Sequence, residues 1–96
     1  MADAVSVAPD VYSVKFENDK VRVLEIRTEA GASSNMHSHP NMVLFAVTDC
    51  NWELTTEAGE KIEAKIPAGE IFYQDATEHA AKEIGGSSHA IAIELK

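Results

Sequence analysis

The sequence has little cysteine, little proline and few basic residues, and it has no long apolar run. Its 96 residues include one cysteine and three prolines. The single Cys50 has no partner for an intrachain disulfide, which excludes a disulfide-stapled scaffold and fits a reducing compartment. No run approaches the roughly 18 apolar residues of a membrane-spanning helix, so we expect no membrane partner.

Positive charge is scarce as well. Eight basic residues stand against sixteen acidic ones, for a net charge of −8. Such a surface repels phosphate backbones, and we therefore expect no nucleic-acid partner. The N-terminal stretch MADAVSVAPD also lacks the basic flank and apolar core of a signal peptide. We expect a cytoplasmic protein.

What the chain does contain is a series of short strand patterns. Residues 1–10, broken by Pro9, predict a flexible N-terminal arm, and residues 11–96 predict one domain. EAGASSN is expected to be a loop, and DATEHAAKEIG is the best of the weak helix candidates, so we expect at most one helical turn. Turn signals separate about seven strands, which favours an all-β antiparallel sandwich or barrel. The predicted strands are VYSVKF, VRVLEIRT, NMVLFAVT, WELTT, KIEAKI, IFYQ and HAIAIELK.

Two histidines stand one residue apart in GASSNMHSHPNMVLF. On a strand, His37 and His39 would share a face with their Cα atoms roughly 6.5 Å apart, and both imidazoles could lean toward one metal ion. The same alternation would carry Asn41, Val43 and Phe45 onto that face as the wall of a pocket. Two polar residues in a turn is the alternative interpretation of the pair.

A third histidine strengthens the metal hypothesis. His79 lies in IPAGEIFYQDATEHAAKEIG, where an antiparallel neighbour could return beside the first pair. At this point the sequence resembles the cupins: Gly31, His37 and His39 match the G-x5-H-x-H motif, and His79 matches the histidine of the second motif. The resemblance implies a single cupin barrel, a double-stranded β-helix or jelly roll. It also implies one divalent transition metal (Fe, Ni, Zn, Co or Cu) held by the three histidines.

Two departures from the cupin pattern matter. The glutamate of the first motif would fall at Val43 or Leu44, neither of which binds a metal, and residues 74–76 replace the Pro-x-Gly that precedes the histidine of the second motif. Glu83 occupies the asparagine position of that motif. Three neutral imidazoles would leave the ion its full charge and about three open positions. The resemblance then implies a non-haem oxygenase acting on a small organic acid or thiol. A non-catalytic ligand-binding or sensor barrel and a metal-dependent sugar or acid isomerase are the alternatives.

Further residues are candidates for substrate contacts. One of Tyr73 and Gln74 should face the pocket, and with Glu83 they are the candidate catalytic residues. Arg22 shares a strand face with Leu24 and Ile26, so it is a candidate to meet an anion inside the barrel. The candidate substrate-binding residues are Arg22, Asn41, Val43 and Phe45. We expect His89 and Trp52 to be packing residues, a small-molecule ligand or substrate, and a homodimer formed through open edge strands.

Overall fold

The computed structural model describes residues 3–96, and over this range the chain forms nine strands and one short helix. The fold is therefore all-β, and the single helical turn fits the expected helix content. In chain order the elements are α1 (Ala4–Val7), β1 (Tyr12–Glu17), β2 (Val21–Thr28), β3 (Ser33–His39), β4 (Met42–Ala46), β5 (Cys50–Thr56), β6 (Lys61–Ile66), β7 (Ile71–Gln74), β8 (Thr77–Glu83) and β9 (Ser88–Leu95).

The strands form two antiparallel sheets. One has the order β1-β2-β9-β4-β7 and the other the order β3-β8-β5-β6. Alternate side chains of each strand point between the sheets, and β9 alternates strictly, with its even-numbered residues buried. The core between the sheets contains Tyr12, Leu24, Ile26, Met42, Leu44, Ala46, Cys50, Trp52, Ile66, Ala90 and Ala92.

Two of the nine strands were not among the predicted ones. The first three of the seven residues of β3 lie in the stretch where EAGASSN predicted a loop, and β8 occupies the helix candidate DATEHAAKEIG. Both segments are polar and poor in β-branched residues, so intrinsic strand propensity gave no signal for them. Pairing between β3 and β8 supplies the hydrogen bonds that local sequence preference does not.

A corner at Pro40 and Asn41 corrects the predicted pocket wall. The chain leaves one sheet at His39 and enters the other at Met42, so the alternation does not continue through the corner. On β4 the buried residues are Met42, Leu44 and Ala46, whereas Val43 and Phe45 point to the opposite face and are only partly buried. The assignment of Val43 and Phe45 to the pocket wall is therefore wrong.

The N-terminal segment differs from a free arm over its described part. The Asp3 side chain caps α1 by accepting a hydrogen bond from the backbone N–H of Val5 at 3.2 Å. The Asp3 backbone forms an isolated parallel β-bridge with Ser38 of β3. Ala4 and Ala8 are buried in the core. Residues 3–10 thus pack on the barrel beside the histidine strand, while Met1 and Ala2 lie outside the described residues. Within residues 3–96, no helix is both long and apolar enough to cross a membrane.

Candidate metal centre

Three buried histidines meet inside the barrel. His37 and His39 lie on β3, and His79 lies on β8 directly opposite His37 in the antiparallel register. One ring nitrogen from each imidazole lies within 4.8 Å of the others. The ring centroids are 4.8 Å apart for His37 and His39, 4.9 Å for His37 and His79, and 5.1 Å for His39 and His79. The structure brings together the three residues that the sequence singled out.

The local backbone explains how β3 presents these side chains. Gly31, at φ +78, makes the left-handed turn that leads into the strand, a conformation that glycine adopts without steric cost. A bulge between Ser34 and His37 then shifts the register of β3 against β8. As a result, Ser34 and His37 are both buried although they are three residues apart.

Hydrogen bonds orient two of the imidazoles. The Nδ1–H of His37 donates to the backbone oxygen of Asn35 at 2.8 Å, which leaves Nε2 as an acceptor, and the Tyr12 hydroxyl donates to it at 3.1 Å. The Nδ1–H of His39 donates to the Glu94 carboxylate at 3.1 Å. These contacts fix the neutral tautomers so that an Nε2 lone pair is available to a metal ion.

Glu94 belongs to a chain of charged residues that continues to the N-terminus. Its second oxygen accepts from the Arg22 Nε at 2.8 Å, and the Arg22 guanidinium also binds Asp3 at 2.5 Å. Glu94 is only 2% exposed, so the ion pair with Arg22 is what compensates its burial. Arg22, a candidate substrate-binding residue, is therefore held by two carboxylates of the protein itself and does not line the cavity described below.

Burial favours the neutral form of two of the imidazoles, those of His37 and His79. It lowers the pKa of His37, with a smaller contribution from the neighbouring His39. Burial, together with the charges that His39 and His37 would carry, lowers the pKa of His79 to about 4. Metal ions bind the neutral imidazole, so few protons would have to be displaced from these two residues at pH 7.

The donor set therefore fits a divalent transition metal. Metal–imidazole bonds of about 2.0–2.1 Å place adjacent donor nitrogens roughly 3 to 3.4 Å apart, so the cluster would have to contract slightly around an ion. Imidazole nitrogens suit Fe, Ni, Co, Cu and Zn alike, so the residues leave the identity of the ion open. His37, His39 and His79 are the residues that could hold it.

A cavity of about 480 Å³ adjoins the cluster, and His39 and His79 form part of its wall. Most of the wall is apolar and includes Ile26, Met42, Leu44, Trp52, Leu54 and Phe72. This volume lies in the range of small-molecule sites.

Solved structures of the same architecture were found for most of the chain. A cupin domain from Bordetella pertussis Tohama I has a TM-score of 0.81 and 22% identity, covering 90% of this chain and 92% of that one. This chain has the cupin fold. A double-stranded β-helix protein from Klebsiella pneumoniae matches with a TM-score of 0.68 and 19% identity, covering 88% of this chain and 75% of that one. An RmlC-like cupin from Methanocaldococcus jannaschii matches with a TM-score of 0.67 and 16% identity, covering 88% of this chain and 78% of that one.

The sequence itself gives no such match: no protein-family model and no curated protein matches it. The resemblance based on Gly31, His37, His39 and His79 is thus confirmed at the level of the cupin fold.

The cupin barrel resolves the open alternative on β7. Gln74 lines the cavity, whereas Tyr73 points outward and is 54% exposed. Tyr73 is therefore not placed to act on a molecule in the cavity. Gln74 is a neutral amide and can donate or accept a hydrogen bond there.

Glu83 also reaches the cavity wall of the cupin barrel, but its carboxylate has other partners. It accepts hydrogen bonds from the Thr28 hydroxyl at 2.5 Å and from the Gly85 N–H at 2.9 Å. Burial favours the neutral acid, yet the hydrogen bonds outweigh it and lower the pKa of Glu83. Neither of these partners is an imidazole. Glu83 is thus an ionised carboxylate bound to the barrel wall.

The remaining candidates lie elsewhere. Asn41 is exposed at the corner, where its side-chain oxygen accepts from the Ala76 N–H at 2.8 Å, and it is not among the residues that line the cavity. His89 contacts Glu25 at 2.9 Å and lies outside the histidine cluster. Trp52 is a core residue that also lines the cavity, with its indole N–H 3.4 Å from the Thr28 hydroxyl.

Sequence reasoning missed two residues that contact the cluster, Tyr12 and Glu94. Glu94 shares its strand face with Ala90 and Ala92, which are fully buried. A glutamate near the end of HAIAIELK suggests an exposed residue, and the small alanines give no strong apolar signal. Register with β2, which pairs Arg22 with Glu94, is the feature that identifies it.

Proposed function

We propose that this cupin binds one divalent transition metal ion through His37, His39 and His79, and that the ion serves a non-haem oxygenase acting on a small organic acid or thiol. The observation that carries the proposal is the buried group of three imidazoles, with ring nitrogens within 4.8 Å of one another, at the wall of an apolar cavity. The ion would supply Lewis acidity and open coordination positions for a chelating substrate and dioxygen.

The three candidate catalytic residues favour oxygen chemistry over isomerisation. An isomerase needs a group that takes up and returns a proton within reach of the substrate. Tyr73 faces outward, Glu83 is occupied by hydrogen bonds, and Gln74 has no titratable proton. What these residues support instead is a role in binding: Gln74 offers one polar contact, and the apolar wall excludes water from the ion.

Metal content of tag-free protein, purified without chelator, tests the metal site. We expect about one equivalent in the wild type, and loss of the metal in His37→Ala and His79→Ala. His89→Ala is the matched control because His89 pairs with Glu25 outside the cluster. Absence of metal from the wild type after loading, or metal unaffected by the two substitutions, would overturn the metal site.

Oxygen uptake separates the oxygenase from a sensor barrel. Protein loaded anaerobically with Fe(II) is mixed with a panel of small organic acids and thiols, and oxygen consumption is followed with His79→Ala as the blank. We expect uptake that depends on both the substrate and His79. A ligand that raises the melting temperature without oxygen uptake would instead support a binding or sensor barrel.

We also infer a homodimer located in the cytoplasm. Edge strand β1 exposes Val14 and Phe16, and edge strand β7 exposes Ile71 and Tyr73, which supports association through a sheet edge. Light scattering at micromolar concentration should give the mass of a dimer, and a monomer mass would refute it. Cell fractionation tests the location.

A further inference from the structure

Tyr12 occupies a position beside the histidine cluster that nothing in the sequence pattern assigned to it. It is the first residue of β1, in the sheet opposite the histidine strands, and it is only 5% exposed. Its ring meets His37 and His39 edge-on, with centroids 5.2 Å and 5.4 Å away. Its hydroxyl oxygen lies 3.1 Å from the Nε2 of His37.

That nitrogen is the one a metal ion would use. The other ring nitrogen of His37 donates its proton to the Asn35 backbone oxygen, so only Nε2 has a free lone pair. Tyr12 therefore lies on the side of His37 where the ion would bind. An ion attached to His37 has to displace the Tyr12 hydroxyl or bind it.

The distance is the one expected of two neighbouring ligands. Donor atoms about 2.0–2.1 Å from one ion and at angles between 90° and 109° are separated by roughly 2.8 to 3.4 Å. The oxygen–nitrogen distance of 3.1 Å falls within this interval. The Tyr12 hydroxyl can thus become a ligand with little movement relative to His37.

The position also corresponds to a gap in the donor set. Val43 or Leu44 stands where the cupin motif would have its glutamate, so β4 supplies no oxygen donor to the ion. We propose that Tyr12 supplies the oxygen donor from β1 and completes a site of three histidine nitrogens and one tyrosine oxygen. This inference rests on the proposed metal site and adds a protein ligand to it.

The binding step releases one proton from Tyr12. In the absence of an ion, the residue is a phenol whose hydroxyl donates to the Nε2 of His37. When the divalent ion binds, the phenol oxygen forms a bond to it and the phenolic proton passes to the buffer. The ion and the phenolate together then carry a net charge of +1, as an ion with one carboxylate ligand would.

Cu(II) is the probe, because coordination of a phenolate to it gives a charge-transfer absorption band that imidazole and water ligands do not give. Wild type, Tyr12→Phe and Tyr73→Phe are titrated with Cu(II) against a chromophoric chelator, with absorbance spectra and proton release recorded. Tyr73→Phe is the matched control, since Tyr73 is the protein's other tyrosine and faces outward. Resonance Raman spectra excited in the band detect tyrosinate vibrations in the wild type itself, so the result does not depend on the variant's folding.

We expect the band in wild type and Tyr73→Phe and its loss in Tyr12→Phe. Tyr12→Phe should also release one proton fewer and bind Cu(II) at least about 10-fold more weakly, as loss of even an outer partner of a metal ligand costs that much. One equivalent of Cu(II) in the wild type without band or tyrosinate vibrations would overturn the Tyr12 ligand and leave the three-histidine site standing. Failure of wild type to bind Cu(II) would overturn both.

Discussion

Glu83 and Glu94 are equally buried, at 2% exposure each, yet they belong to different parts of the barrel. Glu94 faces His39 and Arg22, and so it is connected to the candidate metal centre. Glu83 faces the Thr28 hydroxyl and the Gly85 N–H, and it ties two segments of the barrel wall together. The sequence motif drew attention to Glu83 and gave no sign of Glu94.

The comparison shows that burial of a charge does not by itself indicate a functional role. Both carboxylates are compensated, one by a cation and one by neutral donors, as a buried charge requires. What distinguishes them is the second group in contact: the His39 imidazole for Glu94, and the backbone N–H of Gly85 for Glu83. The loop at Gly85 is tightly packed, since a Cβ there would lie 2.6 Å from the Asn51 Cβ.

Among these predictions, we expect the loss of Glu83 to have the largest effect, which is a decrease in the stability of the fold. Glu83→Ala leaves the Thr28 hydroxyl and the Gly85 N–H without their acceptor inside the barrel. We expect the free energy of unfolding to fall by about 3 kcal/mol, measured by urea denaturation, with the metal stoichiometry unchanged. Glu57→Ala, at an exposed turn residue, is the control. A parallel loss of metal would show that Glu83 also acts on the histidines, which would contradict the different roles assigned to Glu83 and Glu94.

Glu94 should instead control metal affinity. Glu94→Gln keeps the shape but removes the charge that holds the His39 Nδ1–H, so the imidazole becomes a weaker and less well oriented ligand. We expect Zn(II) affinity to fall by about 10- to 100-fold in chelator competition. Glu83→Gln should stay within about twofold of wild type. Equal affinities for the two variants would mean that Glu94 is only structural.

In metal-free protein, the pH dependence of stability should distinguish the contribution of His79 from that of Glu83. The pKa of His79 is lowered to about 4, from about 6.5 in the unfolded chain, so below pH 6.5 the unfolded state takes up a proton that the folded state does not. Stability is therefore complete above pH 6.5 and falls toward pH 4. Between pH 7 and 5 we expect a loss on the order of 1–2 kcal/mol by urea denaturation.

Glu83 titrates in a different window. Its pKa is lowered, so its contribution is present above its usual value near 4.5 and is lost only as pH falls below it. His79→Gln should then reduce the change between pH 7 and 5 to the part that comes from His37, whose pKa is also lowered by burial, and Glu83→Gln should not reduce it. A slope in His79→Gln equal to that of the wild type would assign this window to other groups.

Asp3 should have the smallest effect. Its side chain is 41% exposed, and it binds an Arg22 that Glu94 already holds. We expect Asp3→Asn to lower the free energy of unfolding by about 1 kcal/mol or less, as for other partly exposed ion pairs, and to change Zn(II) affinity less than threefold. A loss of affinity as large as in Glu94→Gln would show that the N-terminal segment governs the orientation of His39.

The sequence was informative where a pattern is local. His37 and His39 follow from a two-residue period, and strands such as β2 and β9 from apolar alternation. Tyr12 and Glu94 could not be found in this way, because they lie 25 and 55 residues from the histidines they contact. Only the register of the sheets brings such distant residues together.

The error at Val43 and Phe45 has a different cause. Alternation was carried across Pro40 and Asn41, where the chain changes sheets and the inward face passes from odd-numbered to even-numbered residues. A proline favours an extended or turn conformation in the residue before it, and it has no N–H to donate to a neighbouring strand. The inward-facing residues of the strand that follows a proline therefore have to be identified separately from those of the strand before it.

The same corner separates the cavity wall on β4 from the two histidines on β3. Asn41 fixes the corner through its contacts with the Ala76 and Leu95 N–H groups, so β3 and β4 are anchored independently on either side of it. Substitutions at Met42 or Leu44 can therefore reshape the cavity while His37 and His39 keep their positions. The shape of the cavity and the position of the histidine cluster thus depend on different strands.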